Sequence, residues 1–235
     1  MLVLDNLLVE AGSFQLRADI TLNTGSRTAI IGASGSGKST LLNAVAGFLK
    51  PTSGRIRWGD RDLNTVPAGE RPLSILFQDQ NLFPHLTVAQ NIGLGISPKL
   101  RLTPDDIARV QESLARTGLA GLGERTPNAL SGGQQSRVAL ARALLRARPM
   151  LLLDEPFAAL GPALKDEMLA LVDEIATAEG LTILMVSHDP DDARRLCPQT
   201  IFVSDGSAHP AAPTHELLAH PPSALRAYLG DREIT

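Results

Sequence analysis

Cysteine is almost missing from this chain of 235 residues: Cys197 stands alone. That excludes an internal disulfide framework and a multi-cysteine metal site, and it fits a reducing compartment. Aromatic residues make up only 3%, so leucine, isoleucine, valine and alanine must fill the core. There is no basic excess. Lys+Arg number 22 against 25 Asp+Glu, a net charge of −3, without the basic runs of a free-standing electrostatic nucleic-acid binder. No apolar run approaches the ~20 residues needed to cross a bilayer. The opening MLVLDNLLVEAGSF meets Asp5 and Glu10 without a basic stretch, unlike a secretory signal. What is present, 43% hydrophobic and 20% charged residues, is the composition of a globular protein. The length suits one large domain or two small ones, and no internal repeat is visible.

The hydrophobic pattern alternates between strand and helix. Leu2 to Val9, Phe14 to Leu22 and Arg27 to Ile31 read as strands, and Lys38 to Ala46 as a helix stopped by Gly47. Arg55 to Trp58 and Leu73 to Gln78 follow as strands. From Thr87 to Leu145 the pattern turns helical. Thr103-Pro104-Asp105-Asp106 supplies a capping hydroxyl, a proline at the first helical position and acids at the positive dipole end. Strands return at Met150 to Leu153, Leu181 to Val186 and Thr200 to Ser204, with Pro162 to Ala178 helical between them. The alternation predicts an α/β fold with a largely parallel sheet, interrupted by a helical insert over about 79–149. The stretch from Ala208 to Pro222, rich in Pro, Ala and His, reads as surface wrapping.

Three motifs carry chemistry. Gly32-Ala33-Ser34-Gly35-Ser36-Gly37-Lys38-Ser39 fits G-x-x-x-x-G-K-[ST] between a strand and a helix that continues with Thr40. Glycines let such a loop turn its N–H groups around phosphate oxygens at a helix N-terminus. Lys38 then reaches the β- and γ-phosphates, and the Ser39 hydroxyl ligates Mg²⁺. Met150 to Leu153 is a buried strand ending in Asp154 and Glu155, at the edge where open α/β sheets bind ligands. Asp154 is expected to hold Mg²⁺, and Glu155 to face the water that attacks the γ-phosphate. Leu130-Ser131-Gly132-Gly133-Gln134 arises by chance in only a few chains per ten thousand, roughly, at average composition. Ser131 and Gln134 also form a capping box for a helix read as running to Arg148, and a capped start with two glycines is itself an anion site.

A P-loop, LSGGQ and LLLDEP in this order, with His188 after a further strand, resemble the ATP-binding subunits of ABC transporters. The resemblance implies a P-loop NTPase core with a mostly parallel sheet, an antiparallel β lobe and a helical subdomain. Residues 1–78 and 150–210 would form the core and lobe, about 79–149 the helical subdomain, and 211–235 a C-terminal tail. It implies ATP and Mg²⁺, and a head-to-tail homodimer in which Ser131, Gly132, Gly133 and Gln134 of one chain meet the nucleotide held by the other. Gln78 matches the glutamine that contacts Mg²⁺ and the attacking water, and His188 matches the histidine that contacts the γ-phosphate. Phe83, Leu86, Val88 and Ile92 fall where the family receives a short helix of a permease, with ordinary core packing as the alternative for each.

Two segments, LFQDQNLFPHLTVAQNIGLG from Leu76 to Gly95 and PALKDEMLALV from Pro162 to Val172, resemble the ATPases of bacterial thiamine importers. So does the absence of the extra C-terminal domain of many sugar and polyamine import ATPases. The implied setting is the cytoplasmic face of a bacterial inner membrane, with an integral permease and, indirectly, a periplasmic substrate-binding protein, and no nucleic acid. Iron(III), sulfate, molybdate or polyamine import are alternatives, a soluble non-transport ABC ATPase is a further one, and a P-loop kinase leaves LSGGQ without a task. Two departures stand out. Ala11 and Gly12 occupy the place of the aromatic that stacks on adenine, leaving Phe14 as the nearest ring. Ala158-Ala159-Leu160-Gly161 replaces the usual S-A-L-D, so the aspartate expected to reach across the dimer is missing, with Gly161 left as a helix cap before Pro162.

Overall fold

The computed structural model describes residues 1–230; the last residues of the expected tail, 231–235, lie outside them. In chain order the strands are β1 (Leu2–Ala11), β2 (Phe14–Leu22), β3 (Arg27–Ile31), β4 (Ser53–Trp58), β5 (Arg61–Asp62), β6 (Leu73–Leu76), β7 (Met150–Asp154), β8 (Thr182–Val186), β9 (Gln199–Ser204), β10 (Ser207–Ala208) and β11 (Ala212–Pro213). The helices are α1 (Lys38–Ala46), α2 (Val88–Gly93), α3 (Pro104–Arg116), α4 (Gly132–Leu145), α5 (Pro162–Glu179), α6 (Pro190–Leu196), α7 (Thr214–Ala219) and α8 (Ser223–Leu229).

One continuous sheet runs β5-β4-β1-β2-β10-β9-β3-β8-β7-β6, with β11 beside β9. From β9 to β6 the neighbours are parallel; β5, β4, β1 and β2 form an antiparallel lobe. Strands β3, β7 and β8 are apolar almost throughout because both faces are covered. Ile30, Leu152 and Leu184 pack with α1 and the antiparallel lobe, while Ile31, Leu151, Leu153, Ile183 and Met185 pack with α4, α5 and α6. A third cluster, Val88, Ile92, Val110, Leu114, Leu119, Leu130, Val138 and Ala141, is the core of α2, α3 and α4. Helix α4 serves two cores: Ala139, Leu140 and Ala143 face the sheet, Val138 and Ala141 the helical cluster.

Local chemistry explains the boundaries. Thr87, Thr103 and Ser131 close capping boxes with Gln90, Asp106 and Gln134. Three expectations are corrected. Strand β6 stops at Leu76, so Phe77 and Gln78 already belong to the following loop. Helix α4 ends at Leu145 instead of Arg148: Ala147 takes φ +50°, and the residue before Pro149 is biased away from helix. The stretch read as surface wrapping contains α7 and leads into α8, whose Leu218, Leu225 and Leu229 are buried against the sheet; short helices separated by prolines leave too little periodicity to betray them. Cys197 is buried, which pushes its thiol well above the usual range and leaves it unreactive.

One buried cation ties the lobe to the core. The Arg71 side chain, 1% exposed, donates to the carbonyls of Val66 (3.1 Å), Ala44 (2.8 Å), Val45 (2.7 Å) and Leu63 (2.7 Å). Gly47 leaves it room, since a Cβ there would stand 2.6 Å from Arg71 Nε. Arg71→Met would take a donor from all four carbonyls, of which Ala44 O and Leu63 O keep backbone partners (Gly47 N at 3.2 Å, Val66 N at 3.1 Å), and unsatisfied buried groups cost on the order of 1–3 kcal/mol each before relaxation. We expect a net loss of about 3 kcal/mol, read as a thermal midpoint lowered by roughly 6–12 °C.

Candidate functional site

Parallel register brings the chemistry to one edge. Leu76 pairs with Leu153, Asp154 with Val186, and Val186 with Ile30, so β6, β7, β8 and β3 end side by side. The residues that follow, Gln78, Asp154-Glu155, His188 and the loop Gly32 to Lys38, gather at the same carboxyl edge.

The loop is built around two glycines that nothing else could replace. Gly32 has φ +154° and a Cβ there would lie 2.2 Å from Val203 O; Gly37 has φ +114°, with a Cβ 2.9 Å from the Phe14 ring and from Leu16. Gly37 caps α1 without any side-chain bond, and no acid stands in the first turn, so the first N–H groups of α1 are left for a ligand. The Ser36 hydroxyl is buried without a partner. Lys38, 8% exposed, folds back on its own loop, donating to Gly32 O (2.8 Å) and Ala33 O (2.9 Å). Burial lowers its pKa, against the pull of Glu155 and Asp154. Ser39 is exposed and Thr40 half-buried beside it.

Asp154 is held above the usual carboxylate range by burial and then by the neighbouring Glu155, with Lys38 opposing. A buried Asp154 beside a second carboxylate is a place where a cation between it and phosphate oxygens would be favoured. Among the described residues no group of three or more His, Cys, Asp or Glu could hold a metal ion by itself. Hydroxyl, carboxylate and amide oxygens at Ser39, Asp154 and Gln78 are instead hard donors of the kind that could hold Mg²⁺ together with phosphate oxygens. Glu155 sits at φ +45°, its N–H donating to Val186 O (3.1 Å), and its Oε2 lies 3.2 Å from His188 Nδ1. The left-handed turn aims the carboxylate along the sheet edge toward His188 instead of continuing the strand alternation.

His188 projects an exposed ring from a braced backbone. Its carbonyl accepts from Tyr228 Oη of α8 (2.8 Å). Ser187 Oγ donates to Asp192 (2.8 Å), and Lys165 of α5 bridges Asp189 (2.5 Å) and Asp192 (2.7 Å). Burial raises the Asp189 pKa, but the Lys165 hydrogen bond and the Asp191 N–H outweigh it and hold the carboxyl below its usual range. None of Tyr228, Lys165 or Asp192 was singled out from the sequence; each acts through a partner more than twenty residues away or through backbone, which no local motif encodes.

The segment after Gln78 is clamped from the helical side. Arg142 of α4 donates to Gln80 O (2.6 Å) and Asn81 O (2.8 Å), and Gln80 Nε2 donates to Ser136 Oγ (2.6 Å). Fully buried Asn91 accepts from Phe83 N (2.8 Å) and donates to Phe83 O (3.0 Å), Leu86 O (3.2 Å) and Thr87 O (3.0 Å). Their one sequence signal is a polar residue standing between apolar helical positions. Val88 and Ile92 are core, Leu86 is half-buried, and Phe83 remains 46% exposed, with Phe48 53% exposed near Phe77.

Ser131 to Gln134 start α4, away from the phosphate loop: among the described residues no hydrogen bond or ion pair joins the two. Ser131 and Gly132 face solvent, whereas a Cβ on Gly133 would sit 2.4 Å from Leu164 Cδ2, so a larger residue there would push the Leu164 side chain of α5 aside. Ala11 is exposed at the end of β1, and Phe14 lies against Gly37. Gly161 is the N-cap of α5 at φ −64°, ψ 158°, without a side-chain bond, and a Cβ there meets nothing. Gly161→Asp therefore gains a cap and loses chain entropy in the unfolded state. We expect a stabilisation of about 0.5–1 kcal/mol, read as a thermal midpoint raised by roughly 1–4 °C.

Residues 16–158 match the model of the ABC transporter family. Over 230 residues, 98% of this chain and all of the relative, the sequence is 66% identical to the thiamine import ATP-binding protein ThiQ of Cereibacter sphaeroides. The ThiQ of a Ruegeria species is 56% identical over the same shares, and that of Brucella suis 49% identical over 94% of this chain and 92% of its own. The fold is similar to the ADP conformation of the ATP-binding cassette MJ1267 (TM-score 0.88, 28% identity, 98% and 99% of the two chains). It is also similar to a dimeric post-hydrolysis state of the cassette MJ0796 bound to ADP and Pi (TM-score 0.76, 32% identity, 91% and 99%). A phosphate loop, an acidic strand end and an LSGGQ helix carried on this sheet and this helical cluster therefore have one reading: the chain belongs to the ABC transporter family, as an ATP-binding cassette.

Proposed function

We propose that this chain is the ATP-hydrolysing subunit of an importer that takes up thiamine through a partner permease. The observation that carries the reading is the gathering of the phosphate loop, Asp154, Glu155, Gln78 and His188 at one sheet edge, in a chain alike over nearly its whole length to proteins named for thiamine import. The chain works as a homodimer at the cytoplasmic face of a bacterial inner membrane, served indirectly by a periplasmic substrate-binding protein. Among the described residues no helix is long and apolar enough to cross a membrane, so the permease supplies the passage. Its short helix meets the surface at Phe48 and Phe83. Residues 1–78 and 150–210 act as core and lobe, and about 79–149 as the helical subdomain with its own apolar centre.

The N–H groups of Gly35 to Thr40 and the Ser36 hydroxyl receive the phosphates, and Lys38 exchanges its two loop carbonyls for phosphate oxygens, so little is lost in its desolvated position. Ser39, Asp154 and Gln78 would hold Mg²⁺, which would supply neutralisation of the phosphate charge. Glu155 orients the attacking water and accepts its proton, while His188, steadied through Ser187, Asp189 and Tyr228, donates to the γ-phosphate. Ser131, Gly132, Gly133 and Gln134 present the α4 N-terminus to ATP on the opposite subunit. Phe14, against the phosphate loop, takes the place of the missing aromatic at Ala11.

Glu155→Gln should lower ATP turnover at least 100-fold while retaining ATP affinity and accumulating an ATP-dependent dimer in light scattering; turnover at the wild-type rate removes Glu155 as the base. In cells deleted for this chain, labelled thiamine uptake should be restored by wild type and not by Lys38→Ala. Unchanged uptake after deletion rejects thiamine as the solute and leaves the ATPase standing.

A further inference from the structure

A second cluster of positive charge lies at the opposite end of the sheet from the nucleotide loop. Arg148 stands two residues before β7, whose other end carries Asp154; the strand alone puts its two ends about 13 Å apart. A cleft of about 480 Å³ opens there, between the turn at Gly69, the segment 94–98 after α2, Arg109 of α3, and Leu145, Arg146 and Arg148 at the end of α4. Three guanidiniums line it and no carboxylate does.

The protein provides little to neutralise them. Arg109 makes only long contacts, to Asp106 (3.5 Å) and to Leu145 O (3.4 Å). Arg146 donates to Gly69 O (3.1 Å). Arg148 forms no hydrogen bond or ion pair among the described residues, and its Nε is sealed from solvent without a partner. Lys99 follows Pro98 and exposed Glu70 follows Gly69 in sequence, and the adjoining hollow that shares Arg109 and Leu145 is lined by Glu112, Arg116 and Glu179. The carbonyl end of α4 accounts for one arginine through the helix dipole, but Arg148 lies beyond it. Burial chiefly, and secondarily the neighbouring Arg148, lower the pKa of Arg146. Guanidiniums grouped this way match the planar, multidentate geometry of phosphate oxygens.

We propose that this cleft binds a phosphate- or diphosphate-bearing anion, at a site separate from the nucleotide loop. The walls come from both parts of the molecule, Gly69 and Arg148 from the sheet side and residues 94–98 and Arg109 from the helical side, so a bound anion bridges them.

Calorimetric titration of inorganic diphosphate into the full chain, in EDTA and with the nucleotide loop saturated by ADP, tests this. We expect one saturable site per chain, insensitive to a tenfold rise in ADP and weakened at least tenfold by Arg148→Gln. If Arg148→Gln loses ADP affinity as well, Arg109→Gln on the exposed side of α3 gives the same reading. A second arm uses vesicles of phosphatidylglycerol against phosphatidylcholine: Arg148-dependent binding to the anionic vesicles alone assigns the phosphate to a lipid headgroup. Displacement by ADP, or equal binding by both variants and wild type, overturns the proposal. So does the absence of binding in both arms, and in that case Arg148-dependent co-purification with the permease would make the cleft a protein interface.

Discussion

Everything chemical in this chain hangs on the register of four parallel strands. A parallel ladder fixes not only which strands are neighbours but where each one ends, and β6, β7, β8 and β3 end together. Four loops separated by up to about 150 residues of sequence are thereby delivered to one line without any direct contact having to hold them there. A slip of one residue in β7 would turn Leu151 and Leu153 toward the wrong layer and move Asp154 off the edge. The apolar layers on the two faces of the sheet resist that slip, so core packing and site geometry are one constraint.

The helical part is joined to this frame through α4. Its residues alternate between the sheet layer and the helical cluster, its first turn carries the signature residues, and its Arg142 and Ser136 hold the loop that follows Gln78. Any displacement of α4 moves the signature and the Gln78 loop together. The phosphate loop rests on a different element, α1, packed in the other layer. Two rigid groups with one shared helix is the arrangement from which a ligand can draw conformational work, because small shifts at packed interfaces become discrete ones.

Much of this was legible beforehand because it is written locally. The glycines of the phosphate loop, the capping residues Thr103 and Ser131, and the apolar strand ending in Asp154 and Glu155 each declare themselves within a few residues. The tail did not, because α7 and α8 are short and broken by prolines, and their leucines mean nothing until the sheet face they cover exists. Arg71, Asn91 and Arg142 escaped for a related reason. Each satisfies backbone carbonyls of segments that have no sequence signature, so the residue is visible and its partner is not. Strand β6 ended early for the same cause: Phe77 and Gln78 continue its pattern in sequence, but β7 offers no further pairing beyond Leu153.

The proposed pairing has a physical rationale in the separation of the phosphate loop from the N-terminus of α4. Among the described residues the phosphate loop and the N-terminus of α4 share no hydrogen bond; α1 starts without a side-chain cap, while at α4 the capping box engages Ser131 N and Gln134 N, and Ser131 and Gly132 face solvent. An isolated chain can satisfy the first with ATP and leaves the second facing water. In the proposed head-to-tail pair, one nucleotide would meet both, and the γ-phosphate would contribute to holding two chains together as well as to its own binding. Hydrolysis would then remove the group on which both converge. Gly161 caps α5 with open space around it. Without an aspartate at that position, the proposed chemistry would fall to the α4 N-terminus and to Glu155 and His188, held 3.2 Å apart at the sheet edge.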